Sequence, residues 1–128
     1  MKALKESENY SIELCLALVT TDPNRLLGKH WKTKHSKFGK IKQDIKNLSL
    51  GKSPQKPLTK FEIKITRYAA GLLDWDNLVS SMKPVIDGLT LAGIIKDDSW
   101  EYIRHIEMDQ VKTKKNETKK LIVKVAGC

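Results

Sequence analysis

Apolar and polar residues alternate along several stretches of the chain, which is the pattern expected of half-buried strands. In residues 12–18 every second residue is Ile or Leu, and residues 61–66 repeat the pattern. Residues 119–126 alternate in the same way, and a further strand is predicted over residues 100–110. The chain therefore has about four candidate strands.

A helical period lies between the first two of these strands. Its apolar residues recur at steps of three, four and seven, and they are Trp31, Phe38, Ile41, Ile45 and Leu48. These steps place them on one side of a helix over residues 31–48, with lysines on the other sides. Gly39 costs about 1 kcal/mol relative to alanine in a helix interior, so a break near it is an open alternative.

A second helix is predicted over residues 76–95. One face of it is apolar and carries Leu78, Met82, Val85, Leu89 and Ala92. The opposite face is polar and carries Asp76, Ser80, Lys83 and Asp87. Pro84 lacks a backbone N–H and clashes with the preceding turn, so the helix either kinks there or restarts with Pro84 as its first residue.

The order strand, helix, strand, helix, strand, strand predicts a small α+β fold. We expect a single domain over residues 1–128, with a mixed or antiparallel sheet of about four strands and two main helices. No stretch approaches the roughly 20 apolar residues of a membrane span, and the first ten residues lack the apolar run of a secretory leader. A membrane location and secretion are therefore not expected.

Cysteine content and charge indicate the redox compartment of the protein and the kind of partner it binds. Cys15 and Cys128 match neither a disulfide framework nor a metal-binding pair, and we expect both to be free thiols in a reducing cytoplasm. The chain has 24 Lys and Arg against 15 Asp and Glu, a net charge of +9. Such an excess favours a polyanionic partner such as nucleic acid.

The positive charge is concentrated in two segments. Residues 25–46 hold eight basic residues and one acid, a net charge of +7, and residues 112–120 hold a second lysine cluster. We predict that the first segment binds DNA phosphate through Lys29, Lys32, Lys34, Lys37 and Lys40, and the second through Lys114 and Lys115. The alternative is that these lysines form only a solvated helix face and hairpin.

Two acidic pairs flank the second predicted helix. Asp74 and Asp76 stand where a strand gives way to that helix, and Asp97 and Asp98 follow its end. If the chain folds back after the helix, these carboxylates come together and require a cation, and oxygen-only ligands favour Mg²⁺ or Mn²⁺. The alternative is that Asp74 caps the helix, Asp76 interacts with its dipole and Asp97-Asp98 is a polar turn.

The same residues resemble the signature of the RusA family of Holliday junction resolvases. The matching run comprises Asp74-Trp75-Asp76-Asn77-Leu78, Lys83, Asp87-Gly88-Leu89, Ala92-Gly93 and Lys96-Asp97-Asp98. Pro23-Asn24-Arg25 and His30-Trp31 are similar to the family's N-terminal pattern, so the resemblance covers nearly the whole chain.

This resemblance implies a homodimeric, Mg²⁺-dependent endonuclease, with Mn²⁺ as a substitute, that resolves four-way DNA junctions by paired symmetric nicks. It implies that Asp74, Asp76 and Asp98 bind the metal and that Lys83 is a catalytic lysine. The interval from Asp76 to Asp87 is three residues longer here than in the best-known form.

A second departure concerns the residues before the motif. The basic residues that often stand there in the family are Leu72-Leu73 in this chain, so Arg67 is expected to take part in phosphate binding.

Two other functions are alternatives to a nuclease. One is a non-catalytic nucleic-acid-binding module in which the basic residues do all the work. The other, a haloacid-dehalogenase-like phosphatase, is disfavoured because one short helix between the acidic pairs leaves no room for its doubly wound sheet.

Overall fold

A computed structural model describes residues 9–17 and 31–128, and for residues 31–38 it describes the backbone only. Its strands are β1 (Ser11–Leu16), β2 (Phe61–Ala69), β3 (Ile103–Lys112) and β4 (Lys120–Gly127). Its helices are α1 (Trp31–Leu48), α2 (Trp75–Ser81) and α3 (Lys83–Leu91). None of the described helices is both long and apolar enough to cross a membrane.

The four strands form one mixed sheet in the order β1-β4-β2-β3. Strand β4 is antiparallel to both β1 and β2, whereas β2 and β3 are parallel. Helices α2 and α3 lie in the connection between the two parallel strands, as a parallel pair requires. The prediction of a small α+β fold with a mixed or antiparallel sheet of about four strands is confirmed, and the sheet is the mixed one of these alternatives.

The strand alternation places one face of the sheet in the core. In β1 the buried residues are Ile12, Leu14 and Leu16, and β2 and β4 alternate in the same way. These side chains form one hydrophobic cluster with buried residues of the helices, namely Ile41, Ile45, Leu78, Met82, Val85 and Leu89. The helices therefore cover this face of the sheet, and the charged residues of β2 and β4 other than Arg67 point to the other face.

The helix predicted over residues 31–48 is continuous, without a break at Gly39. Ile41 and Ile45 are buried as predicted, but Leu48 is 41% exposed, and the neighbouring Ser49 is buried instead. The side chains of Trp31 and Phe38 lie outside the described part, as does residue 18 at the end of the first predicted strand.

The helix predicted over residues 76–95 is two helices with Met82 between them. Pro84 lies in the first turn of α3, where a missing N–H leaves no helical hydrogen bond unmade. The restart at Lys83 is one residue earlier than predicted. The division into faces holds, because Leu78, Met82 and Val85 are buried while Asp76 and Lys83 are exposed.

The chain reverses direction at the end of α3. Gly93 has a φ of 77° and donates its N–H to Thr90, and Ile94 donates to Leu89, which together form a Schellman cap. A residue with a side chain is strained at such a φ. Leu58 then pairs with Ile95 in an isolated bridge that directs the chain toward Asp97 and Asp98.

Candidate active site

Asp74 occupies the N-cap position of α2, directly after the loop that leaves β2. Its carbonyl accepts the N–H of Leu78 at 2.8 Å, the first hydrogen bond of the helix. Its side chain makes no capping hydrogen bond and is exposed. The alternative role of the Asp74 carboxylate as a helix cap is therefore wrong, and the carboxylate is available to a ligand.

Asp76 lies in the first turn of α2 and is also exposed. Neither carboxylate forms an ion pair or hydrogen bond with another described side chain. A negative charge in a first turn is favourable because the helix dipole is positive there. The helix dipole thus explains in part why an acidic residue stands in this turn. Both carboxylates remain open to solvent.

Lys83, the first residue of α3, contacts one carboxylate within that helix and one in the segment that follows it. Its ammonium lies 3.1 Å from Asp98 Oδ2 and 3.2 Å from Asp87 Oδ1. Lys83 and Asp98 are 15 residues apart in sequence. The expected return of the chain after the helix therefore occurs, and it brings Asp98 to the start of α3.

The ion pair between Lys83 and Asp98 favours the charged form of each of these two residues. The hydrogen bond from Lys83 lowers the pKa of Asp98, and the contacts with Asp98 and Asp87 raise the pKa of Lys83. The Asp97 carboxylate accepts the backbone N–H of Asp98 at 2.7 Å. Asp97 thus stabilises the turn. The sequence places Asp87 four residues after Lys83, the spacing at which helical side chains meet, and this signal indicates the contact between them.

The carboxylates suit a hard cation in their chemistry but are not grouped as ligands. Exposed carboxylate oxygens are donors that Mg²⁺ accepts. Within residues 9–17 and 31–128, however, no three acidic, histidine or cysteine side chains are placed to hold one metal ion. Beside Asp98 the position of a cation is taken by the ammonium of Lys83.

The loop before Asp74 is held by two side chains of the sheet. Arg67 Nη1 donates to the carbonyl of Gly71 at 2.6 Å. Gln110 Nε2 donates to the carbonyl of Leu73 at 2.7 Å, and Gln110 Oε1 accepts the Leu73 N–H at 3.0 Å. The sequence analysis did not single out Gln110, because a glutamine in a strand carries no signal for such a contact.

Arg67 is only 6% exposed, so the expectation that it binds DNA phosphate does not fit the structure. Its position follows from the alternation of β2, which places it on the same face as Phe61, Ile63 and Ile65. That alternation was visible in the sequence and could have indicated an inward-facing arginine.

The predicted DNA-binding lysines whose side chains are described lie on the surface. Lys40 is exposed on α1, and Lys114 and Lys115 are exposed in the β3–β4 connection. Lys29 lies outside the described residues, as do the side chains of Lys32, Lys34 and Lys37.

The β3–β4 connection lies next to the loop that leads to Asp74. Thr113 donates its N–H to the carbonyl of Ala69, the last residue of β2, at 3.0 Å. A shallow cavity of about 680 Å³ is lined there by Ala70, Lys112, Thr113, Lys114, Lys115 and Glu117. A basic surface therefore adjoins the segment that carries the acidic motif.

Another cavity, of about 490 Å³, lies on the face of the sheet opposite the described helices, between the ion pairs Lys64–Glu107 and Lys124–Glu13. It contains none of the predicted site residues. We therefore do not include it in the candidate active site.

A scan of protein-family models finds no match to this chain, and no curated protein matches it. The resemblance to the RusA family thus depends on the motif residues themselves.

Proposed function

We propose that the protein is a Mg²⁺-dependent endodeoxyribonuclease of the RusA type, in fold and chemistry, that resolves Holliday junctions and other branched DNA. The observation that carries the proposal is the pair of exposed carboxylates at the β2–α2 junction. Asp74 stands at an N-cap position without a capping hydrogen bond, which leaves its carboxylate oxygens open to a ligand. An aspartate of this kind fits a ligand-binding role better than a capping one.

In this proposal Asp74, Asp76 and Asp98 hold the metal, with Mn²⁺ as a substitute for Mg²⁺. A bound Mg²⁺ would activate water and stabilise negative charge on the phosphoryl group. Lys83 donates hydrogen bonds to phosphate oxygens, and its side chain is 65% exposed and can reach a substrate. The motif residues and these exposures support the assignment.

The basic residues hold the DNA backbone. Lys40, Lys114 and Lys115 are exposed, and Lys29, Lys32, Lys34 and Lys37 complete the set we propose from the sequence. Contacts with phosphate position a duplex without reading its sequence, which suits an enzyme that recognises branched structure. Two symmetric nicks in a junction require two active sites, so the proposed active form is a homodimer. The free thiols of Cys15 and Cys128 fit a cytoplasmic protein.

A non-catalytic nucleic-acid-binding module is the second candidate. It is favoured by the ion pair of Lys83 with Asp98 and by the absence, among the described residues, of three grouped metal ligands. In that case the acidic residues would serve only the turn and the helix start. Binding without cleavage would be the outcome.

The deciding experiment uses a synthetic four-way junction, with Mg²⁺, with Mn²⁺ and with EDTA. We expect paired symmetric nicks with either metal and none with the chelator. Binding without any cut in either metal would favour the second candidate. Cleavage that continues undiminished in EDTA would refute metal dependence.

Asp76→Asn tests the site itself, because it removes a ligand charge and keeps the shape. Cleavage should fall by orders of magnitude, while junction binding should persist because the DNA contacts are elsewhere. Asp97→Asn is the matched control, since asparagine can still accept the N–H of Asp98. Equal cleavage by both variants would contradict the assignment of Asp76.

A further inference from the structure

The four-residue loop Ala70–Leu73 joins β2 to Asp74, and its hydrogen bonds come from the sheet. The side-chain amide of Gln110 meets the backbone of Leu73 with both its donor and its acceptor, at 2.7 and 3.0 Å. Two hydrogen bonds between the same two planar groups fix orientation as well as distance. Gln110 thereby acts on Leu73 as a neighbouring strand would.

Arg67 holds the other part of the same loop. It pairs with Gln110 in the parallel register of β2 and β3, so the two side chains stand next to each other on the covered face. From there Arg67 reaches the carbonyl of Gly71 at 2.6 Å. One cross-strand pair of polar side chains thus holds the loop at two points.

Within the described part of the chain, few other contacts hold the loop. Leu72 is 53% exposed, and Leu73 packs against the core. Asp74 follows Leu73 directly, and its carboxylate makes no cap bond that would orient it. The position of the Leu73 backbone therefore decides where the Asp74 and Asp76 carboxylates stand.

We propose that Arg67 and Gln110 are positioning residues that hold Asp74 and Asp76 in place for metal binding and catalysis. This inference rests on the proposed nuclease function and adds to it two residues that touch neither metal nor substrate. A purely structural role, in which both side chains only satisfy buried polar groups, predicts a loss of stability and nothing more. The two roles can be distinguished by the metal affinity and cleavage rate of a variant that is still folded, below its melting temperature.

The test is Gln110→Met, which keeps the volume and removes both hydrogen bonds. Its control is Ser53→Ala, which removes a single hydrogen bond, from Ser53 Oγ to the Ala92 carbonyl, that does not involve the loop. Three readouts are compared with the wild type: amide hydrogen exchange at Leu73 by NMR, Mn²⁺ affinity by calorimetry, and kcat and KM for junction cleavage.

We expect Gln110→Met to lose protection at the Leu73 amide, to bind Mn²⁺ about 10-fold more weakly, and to lower kcat about 10- to 100-fold with KM unchanged. Ser53→Ala should change none of these. Arg67→Lys, which keeps the charge but has a shorter reach, should change them in the same direction as Gln110→Met.

Wild-type Mn²⁺ affinity and kcat in a folded Gln110→Met protein would overturn the proposal, because the bonds would then serve stability alone. If that variant fails to fold, Gln110→Asn gives the same readouts, since its amide is one methylene too short to reach Leu73. A wild-type protein that neither binds Mn²⁺ nor cuts DNA would instead refute the proposed function. The Leu73 exchange rates would still show whether Gln110 holds the loop.

Discussion

Gly88 lies where α3 crosses α1, and a single added methyl group there tests how closely the two helices pack. A Cβ at this position would lie 2.9 Å from Ile45 Cδ1, 3.3 Å from Ile45 Cβ and 3.2 Å from Lys42 Cα. Real Cβ atoms essentially never show contacts below 3.0 Å. Ile45 is fully buried and the Lys42 Cα is helix backbone, so neither can move aside freely.

Two opposing effects set the magnitude for Gly88→Ala. Alanine is favoured over glycine in a helix interior by about 1 kcal/mol. Overpacking of a filled core costs about 1–3 kcal/mol, and we expect the middle of that range because one of the contacts is backbone. The net result is a destabilisation of about 1 kcal/mol, or about 3–6 °C in melting temperature for a chain of this size.

Gly39→Ala is the matched control, because Gly39 lies exposed in α1 and has nothing within 4 Å of its added Cβ. It should stabilise the protein by up to about 1 kcal/mol. Urea unfolding of both variants measures the difference, which should be about 2 kcal/mol with opposite signs. Stabilisation by both substitutions would refute the close packing of the helices. Adding Ile45→Val to Gly88→Ala removes the shortest contact and should recover part of the loss.

Three further predictions concern charge and assembly. In an NMR titration the Asp98 carboxyl should have its midpoint below the ordinary aspartate pKa, and Lys83→Met should raise it; an unchanged midpoint would contradict the ion pair. The stability that Asp98 contributes should be present above the ordinary pKa and fade as the pH falls through the lowered one. Neutralising Lys32, Lys37 and Lys40 together should weaken junction binding and flatten its salt dependence, by up to about 0.9 log units per lost contact; an unchanged slope would leave these lysines as a solvated face. Light scattering should show a dimer, and a monomer both free and with DNA would contradict paired cutting.

The sequence predicted the elements where its periods were unambiguous. The strand alternation and the helix over residues 31–48 agree with the structure because one face of each element is buried in a single cluster. Pro84 predicted a break in the helix but not its form, because a kink and a restart both accommodate a residue that lacks a backbone N–H. The structure has two helices, and the buried Met82 lies in the core between them.

Side-chain partners across the fold could not be predicted with the same success. The bond between Gln110 and Leu73 joins residues 37 apart, and it depends on the register of β2 with β3, which no local pattern specifies. The meeting of Lys83 with Asp98 depends on the reversal at Gly93. Arg67 was assigned to DNA by its charge, although its place in the alternation of β2 favours the interior.

The length of helix α3 affects the distance between Lys83 and the segment that carries Asp98. The helix has nine residues, a length of about 14 Å, and Lys83 at its first position is paired with Asp98 in the segment that follows its last residue. An insertion within α3 would move Asp98 away from the lysine by about 1.5 Å per residue and rotate one end against the other. The three additional residues relative to the best-known RusA form fall before Lys83 and leave this distance unchanged. Length variation in proteins with this arrangement is therefore expected in α2, where an added turn leaves the distance from Lys83 to Asp98 unchanged.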